Sequence, residues 1–546
     1  VYDSSRDRIV FDVGHQSYSH KIITGRRDMF NTLRCHGGIS GFPKPYEADD
    51  DAFVAGHASD SVSVALGMAH ARTLKKQNYD VVAVIGHGAL TGGLAYEGLS
   101  NLGGGSEPMV VILNDNGMSI NGNVGGMARL LSEERVKPGY INFKRWYRNA
   151  FGSVPALYDA NHKLKEALKR RILPTNVFDA MGIYYLGPVD GHDVAQLETV
   201  IRWARDMRIP VLVHAITQKG RGYKFAEEHP ESYHGVGKFD YLTGELPQEK
   251  KCFSTVFGTA MCRLAEANPD IVAITAAMSA GTGLDAFSHK FPDRFFDVGI
   301  AEEHAVSMAA GMAKQGLVPV FAVYSSFLQR AYDQVSQDLC INDNPATLLV
   351  LWGSLTSMTD VTHLCHFDIP LLSGIPNLVF LAPTNREEYL AMLDWSLAYD
   401  RHPVAIRVPV GEPRSATRPV PTDFSELNKS ELVSRGKDVA ILGLGNFFAL
   451  GEQVSSALKD RGIEATLINP RFISGLDESL LDSLVSDHRL VVTLEDGALE
   501  GGYGEKVARH FGPTSVKTLC FGARKEFVDR YAPADFFAAN HLTVPQ

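Results

Sequence analysis

Cysteine is scarce in this sequence: six among 546 residues, at Cys35, Cys252, Cys262, Cys340, Cys365 and Cys520, with no C-x-x-C pair. That scatter excludes a disulfide framework or a cysteine-rich zinc module and reads as reduced thiols in a cytoplasm. The stretch His363-Leu364-Cys365-His366 has no second Cys/His pair to complete four ligands, so it reads as a core segment that carries polar residues. No apolar run approaches the roughly 18 to 20 residues that cross a bilayer, so no membrane partner is expected. Positive charge is not in excess either. The chain has 53 Lys and Arg against 63 Asp and Glu, a net −10, which argues against a nucleic-acid partner. No signal peptide opens the chain, and it begins on Val1 rather than Met, so a preceding segment is expected to be missing.

What is present is an ordinary globular composition, 45% hydrophobic and 21% charged, in a chain too long for one core. Short Val/Ile/Leu runs alternate with helical stretches throughout. Residues 81–85, 109–113 and 211–216 read as buried parallel strands, as do 271–275, 318–323, 347–351 and 378–382, and then 439–442, 465–468 and 490–494. Polar stretches at 232–251 and 411–430 divide the chain into pieces of 1–245, 252–415 and 430–546. The fold class is therefore α/β, in three domains with parallel sheets. Residues 117–149 lack strand periodicity and read as a long, partly mobile loop beside a ligand site.

The first chemistry-bearing constellation comes directly after the strand at 81–85: Gly86-His87-Gly88-Ala89-Leu90-Thr91-Gly92-Gly93. Glycines at a strand's carboxyl end let backbone N–H groups approach an anion, and the next helix adds its N-terminal dipole. Close packing of a strand on a helix would explain the glycines equally well. The strand at 109–113 runs into Asn114-Asp115-Asn116-Gly117-Met118-Ser119, which places Asn116 29 positions after His87.

With these residues the sequence resembles the deoxyxylulose-phosphate synthases, a branch of the transketolase-like thiamine-diphosphate (ThDP) enzymes. The resemblance runs nearly end to end. It includes DVGHQSYSHK from Asp12 to Lys21, GISGFPK from Gly38 to Lys44, GPVDGHD from Gly187 to Asp193 and KGRGY from Lys219 to Tyr223. Further on come Ala276–Leu284, VGIAEEHA from Val298 to Ala305 and YSSFLQRAYD from Tyr324 to Asp333. The resemblance implies two ThDP-binding parallel-sheet domains followed by a transketolase C-terminal-like domain, as a homodimer. It implies decarboxylation of pyruvate and transfer of the two-carbon unit to an aldehyde, glyceraldehyde 3-phosphate in the synthases, within isoprenoid and thiamine biosynthesis.

The same resemblance assigns roles. Glu302 would bond N1′ of the cofactor's aminopyrimidine, and Phe327 would stack on that ring. His57, Ala58, Ser59, Gly88, Ala89, Asn116, Met118 and Lys219 would line the thiazolium and diphosphate. His87, Asn116 and Met118 would hold Mg²⁺ against the diphosphate. His15, His234, Tyr324 and His363 would line the substrate pocket, where histidines are the natural proton handlers near neutral pH. A further active-site histidine of the family belongs to the segment expected to be missing.

Several positions depart from the family's pattern. His87 stands where the metal-binding carboxylate is usual, and Gly117 where the family carries an acidic residue. Trp352 and Val410 occupy the places of two phosphate-gripping arginines, leaving Arg330 and Arg407 as candidate replacements. Thr359 stands where an aspartate is expected, with Asp360 adjacent. Three readings stay open: a synthase with a rearranged phosphate site, a related ThDP carboligase with another aldehyde acceptor, or a catalytically impaired paralogue acting as a binding protein.

Overall fold

The apolar runs of the first third assemble into one sheet of five parallel strands: β1 (Arg8–Phe11), β2 (Val81–Gly86), β3 (Met109–Asp115), β4 (Tyr184–Asp190) and β5 (Pro210–Ile216). Their spatial order is β1-β2-β3-β5-β4, with Val82 opposite Val110 and Val111 opposite Leu212. The central strands are buried along nearly their whole length because helices cover them, including Ser61–Leu74 and Val194–Asp206. Each Val or Leu buried in this way contributes about 1.5 to 3 kcal/mol. The helix Gly93–Gly104 packs closely on Ser61–Leu74 through Gly98, where a Cβ would stand 2.9 Å from Ser63 Oγ. Gly98 therefore serves packing, whereas a Cβ at Gly86 or Gly93 would meet nothing within 4 Å.

This computed structural model describes residues 1–118, 126, 176–235, 237–247, 252–356 and 360–546. The loop read at 117–149 lies outside the described residues except for Gly117, Met118 and Gly126, and Thr359 lies outside them too. The chain divides into two compact units, Val1–Leu33 with Gly38–Pro247, and Arg34–Gly37 with Gln248–Gln546.

The second unit holds two sheets. One is fully parallel, built from β6 (Ile271–Thr275), β7 (Phe295–Asp297), β8 (Val318–Tyr324), β9 (Thr347–Leu351), β10 (Val379–Leu381) and β11 (Val404–Arg407) in the order β10-β11-β9-β8-β6-β7. The other contains β12 (Glu431–Ser434), β13 (Asp438–Gly443), β14 (Thr466–Asn469), β15 (His488–Ala498) and β16 (Lys517–Ala523) in the order β12-β14-β13-β15-β16. Here β12 runs antiparallel at the edge, and its alternate residues are exposed, as an edge strand's outer face must be. The two sheets share one apolar cluster that includes Phe380, Ile369 and Leu372 from the first and Leu442, Ile468 and Tyr503 from the second.

Parallel strands all present their carboxyl ends on one sheet edge, where α/β proteins bind ligands. In the first unit that edge gathers the segments just beyond β1, β2, β3 and β5: Asp12 to His15, His87 to Ala89, Asn116 to Met118, and Thr217 to Lys219. In the second unit it gathers the residues at the ends of β8 and β9: Tyr324 to Phe327 and Trp352.

Candidate active site

The Asp12 carboxylate, just past β1, anchors the loop that carries His57, Ala58 and Ser59. Its Oδ1 accepts from the Ser59 amide at 2.8 Å and its Oδ2 from the Ser61 amide at 3.1 Å. Ser59 adopts a left-handed φ of 78° and donates its hydroxyl to the Ala89 carbonyl at 2.7 Å. These bonds tie the His57 loop to the Gly88-Ala89 turn, and Ala58, Ser59 and Ala89 are all buried. Nearby, the His15 and His234 rings lie 4.8 Å apart, and Lys219 Nζ approaches His234 Nδ1 at 3.0 Å. Burial pulls the Lys219 ammonium down to about 8. The structure thus brings His15, His234 and Lys219 together.

A second cluster lies at the ends of β2 and β3. His87 is 1% exposed, and its Nδ1 stands 2.7 Å from Asp115 Oδ1. The other oxygen of Asp115 meets His214 Nε2 at 2.9 Å, and His214 Nδ1 meets the Tyr185 hydroxyl at 2.7 Å. His87 Nε2 is buried with no hydrogen-bond partner among the described residues. Asn116 Oδ1 accepts from the Met118 amide at 3.0 Å, forming a local turn. A divalent ion here would meet an imidazole nitrogen, one amide oxygen and the Met118 backbone. That donor set does not fit Mg²⁺, which demands hard oxygen ligands in an octahedron. Among the described residues there is no cluster of three or more His, Cys, Asp and Glu suited to a metal.

The second unit supplies a different chemistry. Glu302 opens the helix Glu302–Lys314, is 3% exposed, and its Oε2 has no hydrogen-bond partner among the described residues. Arg330 Nη1 lies 3.8 Å from that oxygen. Burial raises the carboxyl to about 7, and Arg330 offsets only part of the effect. The Phe327 ring stacks with Tyr324 at 5.7 Å and 9°, and meets His363 edge-on at 5.6 Å. Trp352 packs against Tyr324 at 5.7 Å. Gly281 leaves room for the Tyr324 hydroxyl, since a Cβ there would stand 2.6 Å from it. A buried carboxyl whose outer oxygen has no hydrogen-bond partner among the described residues, in the same unit as a flat aromatic face, fits a heteroaromatic ring that offers a protonated or protonatable nitrogen. The thiamine pyrimidine is such a ring.

One expectation needs correction. Arg407 does not replace a phosphate-binding arginine: it is fully buried, bonds both oxygens of Asp368 at 2.7 and 3.1 Å, and donates to the Asp496 carbonyl at 2.7 Å. Arg330 is placed beside Glu302, and the Val410 amide donates to Asn446 Oδ1 at 3.3 Å. His366 is a core residue, packed between Phe367 and Phe536 and held down to about 4 by burial. Reasoning from the sequence missed Asp12, Asp115, His214, Tyr185 and the Arg330–Glu302 pair. A signal existed for His214, the lone ionisable residue inside an otherwise apolar strand. None existed for Tyr185.

Comparison with known proteins places these features. Residues 1–217 match the family described as 1-deoxy-D-xylulose-5-phosphate synthase. Residues 249–415 match the transketolase pyrimidine-binding domain and 428–545 the transketolase C-terminal domain. A protein of Clostridium tetani named 1-deoxy-D-xylulose-5-phosphate synthase is 44% identical over 98% of this chain and 88% of its own length. One of Symbiobacterium thermophilum with the same name is 44% identical over 100% of this chain and 84% of its own. Another, of Clostridium acetobutylicum, is 43% identical over 97% and 86% respectively.

Proposed function

Because this chain belongs to the 1-deoxy-D-xylulose-5-phosphate synthase family, we propose that it condenses pyruvate with D-glyceraldehyde 3-phosphate, with loss of CO₂, to give 1-deoxy-D-xylulose 5-phosphate. The cofactor is thiamine diphosphate with a divalent cation, which when bound supplies the electron sink that makes loss of CO₂ from a 2-oxo acid feasible. The observation that carries this reading is the buried Glu302 carboxyl, raised to about 7, whose Oε2 has no hydrogen-bond partner among the described residues, with Arg330 at 3.8 Å.

Glu302 keeps a proton into the neutral range and offers a hydrogen bond at Oε2 to a ring nitrogen. Phe327, backed by Tyr324, provides the flat face on which that ring rests. In the first unit, taken by itself, the Asp12 and Ser59 bonds fix the loop of His57, Ala58 and Ser59 against Gly88 and Ala89, which supports assigning these residues to the binding of the cofactor's diphosphate half. Lys219 brings positive charge toward the diphosphate, and by donating to His234 Nδ1 it leaves the His234 proton on Nε2. The paired rings of His15 and His234 in the first unit, and His363 beside Phe327 and Tyr324 in the second, are the groups proposed to hold and return protons. Asn116 and Met118, at the carboxyl end of β3, would face the diphosphate in this reading.

A homodimer in the cytoplasm is part of the same proposal, supported by family membership and checked by sedimentation. Among the described residues no helix is long and apolar enough to cross a membrane. The test of function is to incubate the purified protein with thiamine diphosphate, a divalent salt, pyruvate and glyceraldehyde 3-phosphate, monitoring CO₂ and product mass. Product that depends on all components supports the reading. No CO₂ with any ion would refute it.

A further inference from the structure

The carboxyl end of β2 carries an arrangement that an oxygen-seeking cation does not explain. An ionised carboxylate only accepts hydrogen bonds, so Asp115 requires an N–H from each histidine facing it. These are Nδ1–H of His87 at 2.7 Å and Nε2–H of His214 at 2.9 Å. The Tyr185 hydroxyl completes the assignment by donating to His214 Nδ1, at 2.7 Å. The Gly117 amide also donates to Asp115 Oδ1, at 3.0 Å, so the carboxylate is gripped from three directions. His87 is therefore set in the tautomer with its proton on Nδ1, and its Nε2 carries a lone pair. That nitrogen is buried and has no hydrogen-bond partner among the described residues. An imidazole whose far nitrogen is backed by a carboxylate while the near one stays bare is the arrangement of a metal-ligating histidine. The neighbours supply one amide oxygen but no oxygen cage: Asn116 Oδ1 accepts one bond from Met118 and keeps a second lone pair, whereas Asp115 faces the two histidines.

We infer that His87 converts the cation site beside the cofactor's diphosphate into a mixed nitrogen–oxygen site, selective for a borderline divalent ion of the Mn²⁺, Co²⁺ or Zn²⁺ class over Mg²⁺. Imidazole nitrogen suits these ions and is a poor donor for Mg²⁺. Asp115 is the positioning residue, acting through His87, and His214 with Tyr185 orients Asp115 in turn. The inference rests on the proposed binding of thiamine diphosphate, and it is tested by metal binding itself so that the two fail separately.

The test uses the full 546-residue chain, with thiamine diphosphate and either Mn²⁺ or Mg²⁺. Wild type, His87→Asp and His87→Asn are compared by calorimetry and by pulsed electron paramagnetic resonance of bound Mn²⁺. The asparagine variant keeps the test decisive where a second carboxylate beside Asp115 prevents folding. In wild type the Mn²⁺ spectrum should show coupling to a directly bound imidazole nitrogen, and both variants should lose it. The ratio of Mn²⁺ to Mg²⁺ affinity should fall at least about tenfold in each variant. Absence of nitrogen coupling in wild type, or an unchanged affinity ratio in the variants, overturns the inference while leaving the synthase reading intact. Failure to bind thiamine diphosphate with any ion overturns both.

Discussion

Replacing Glu302 by glutamine should separate the stability of this protein from its chemistry. The carboxyl is almost fully buried at the start of the helix Glu302–Lys314, and its charged form is favoured by Arg330, 3.8 Å away, and by its own backbone amide. Burial wins, so the folded chain holds this proton until about pH 7, against 4.5 for an ordinary glutamate. Between those values the folded state binds more protons than the unfolded state, and stability falls as the pH rises. The penalty is absent below about pH 4.5 and complete above about 7. There it amounts to roughly 3 kcal/mol, the free energy that corresponds to such a rise. Glutamine keeps the shape and cannot ionise. Urea unfolding of the cofactor-free protein at pH 5 and pH 8 should therefore show the Glu302→Gln variant gaining on wild type by about 2 to 3 kcal/mol between the two pH values. Pyruvate decarboxylation should be lost over the same range, because glutamine has no carboxyl proton to share with a ring nitrogen. A stability difference that does not change with pH would show that Glu302 is not the desolvated acid described here, and its role would need another basis.

Arg407→Met should cost about 3 to 5 kcal/mol of unfolding free energy, because Asp368 would be left buried without its counter-charge; a loss below about 1 kcal/mol in urea titrations would contradict the buried-cluster reading. Lys219, held near 8, loses its charge as the pH rises through that value, so thiamine diphosphate should bind about tenfold more weakly at pH 9 than at pH 7. Lys219→Arg, which stays charged, should flatten that dependence, and a Lys219→Arg titration as steep as wild type would rule the lysine out. With Trp352 and Val410 in place of arginines, the KM for glyceraldehyde 3-phosphate should be high. Trp352→Arg combined with Val410→Arg should lower it by about 30- to 150-fold, the worth of a charge-assisted bidentate contact. An unchanged KM in that double variant would mean that the acceptor's phosphate binds elsewhere.

Much of the fold was legible in the amino-acid order because buried parallel strands need unbroken apolar runs, and 81–85, 109–113, 271–275 and 347–351 have them. Six strands escaped notice: β4 is interrupted by Gly187-Pro188, β11 is a buried run of only four residues, and the other four are short or polar. β1 begins with Arg8, β7 has three residues, and β12 and β16 alternate or carry exposed side chains. They pair because a neighbour offers an edge, and that is a property of the assembled sheet. The site divides in the same way. Glu302, Phe327 and Tyr324 were expected at the site because ordered motifs surround them, His363 only by resemblance, and the structure gathers the rings of Phe327, Tyr324 and His363 near the end of β8.

Sequence alone determined the parallel α/β architecture, the family and the departure at His87, since each is a matter of residue type in order. Only the tertiary structure decided what His87 faces and what Arg407 holds. Asp115 meets His87 across 28 positions and His214 across 99, and Arg407 meets the Asp496 carbonyl across 89. Separations of that size leave no periodicity in the chain. His87, Asp115 and His214 meet because β2, β3 and β5 run parallel and close together in one sheet, and Arg407 meets Asp496 where the two sheets of the second unit pack together. Once there, a buried charge must find its complement or pay the full cost of leaving water.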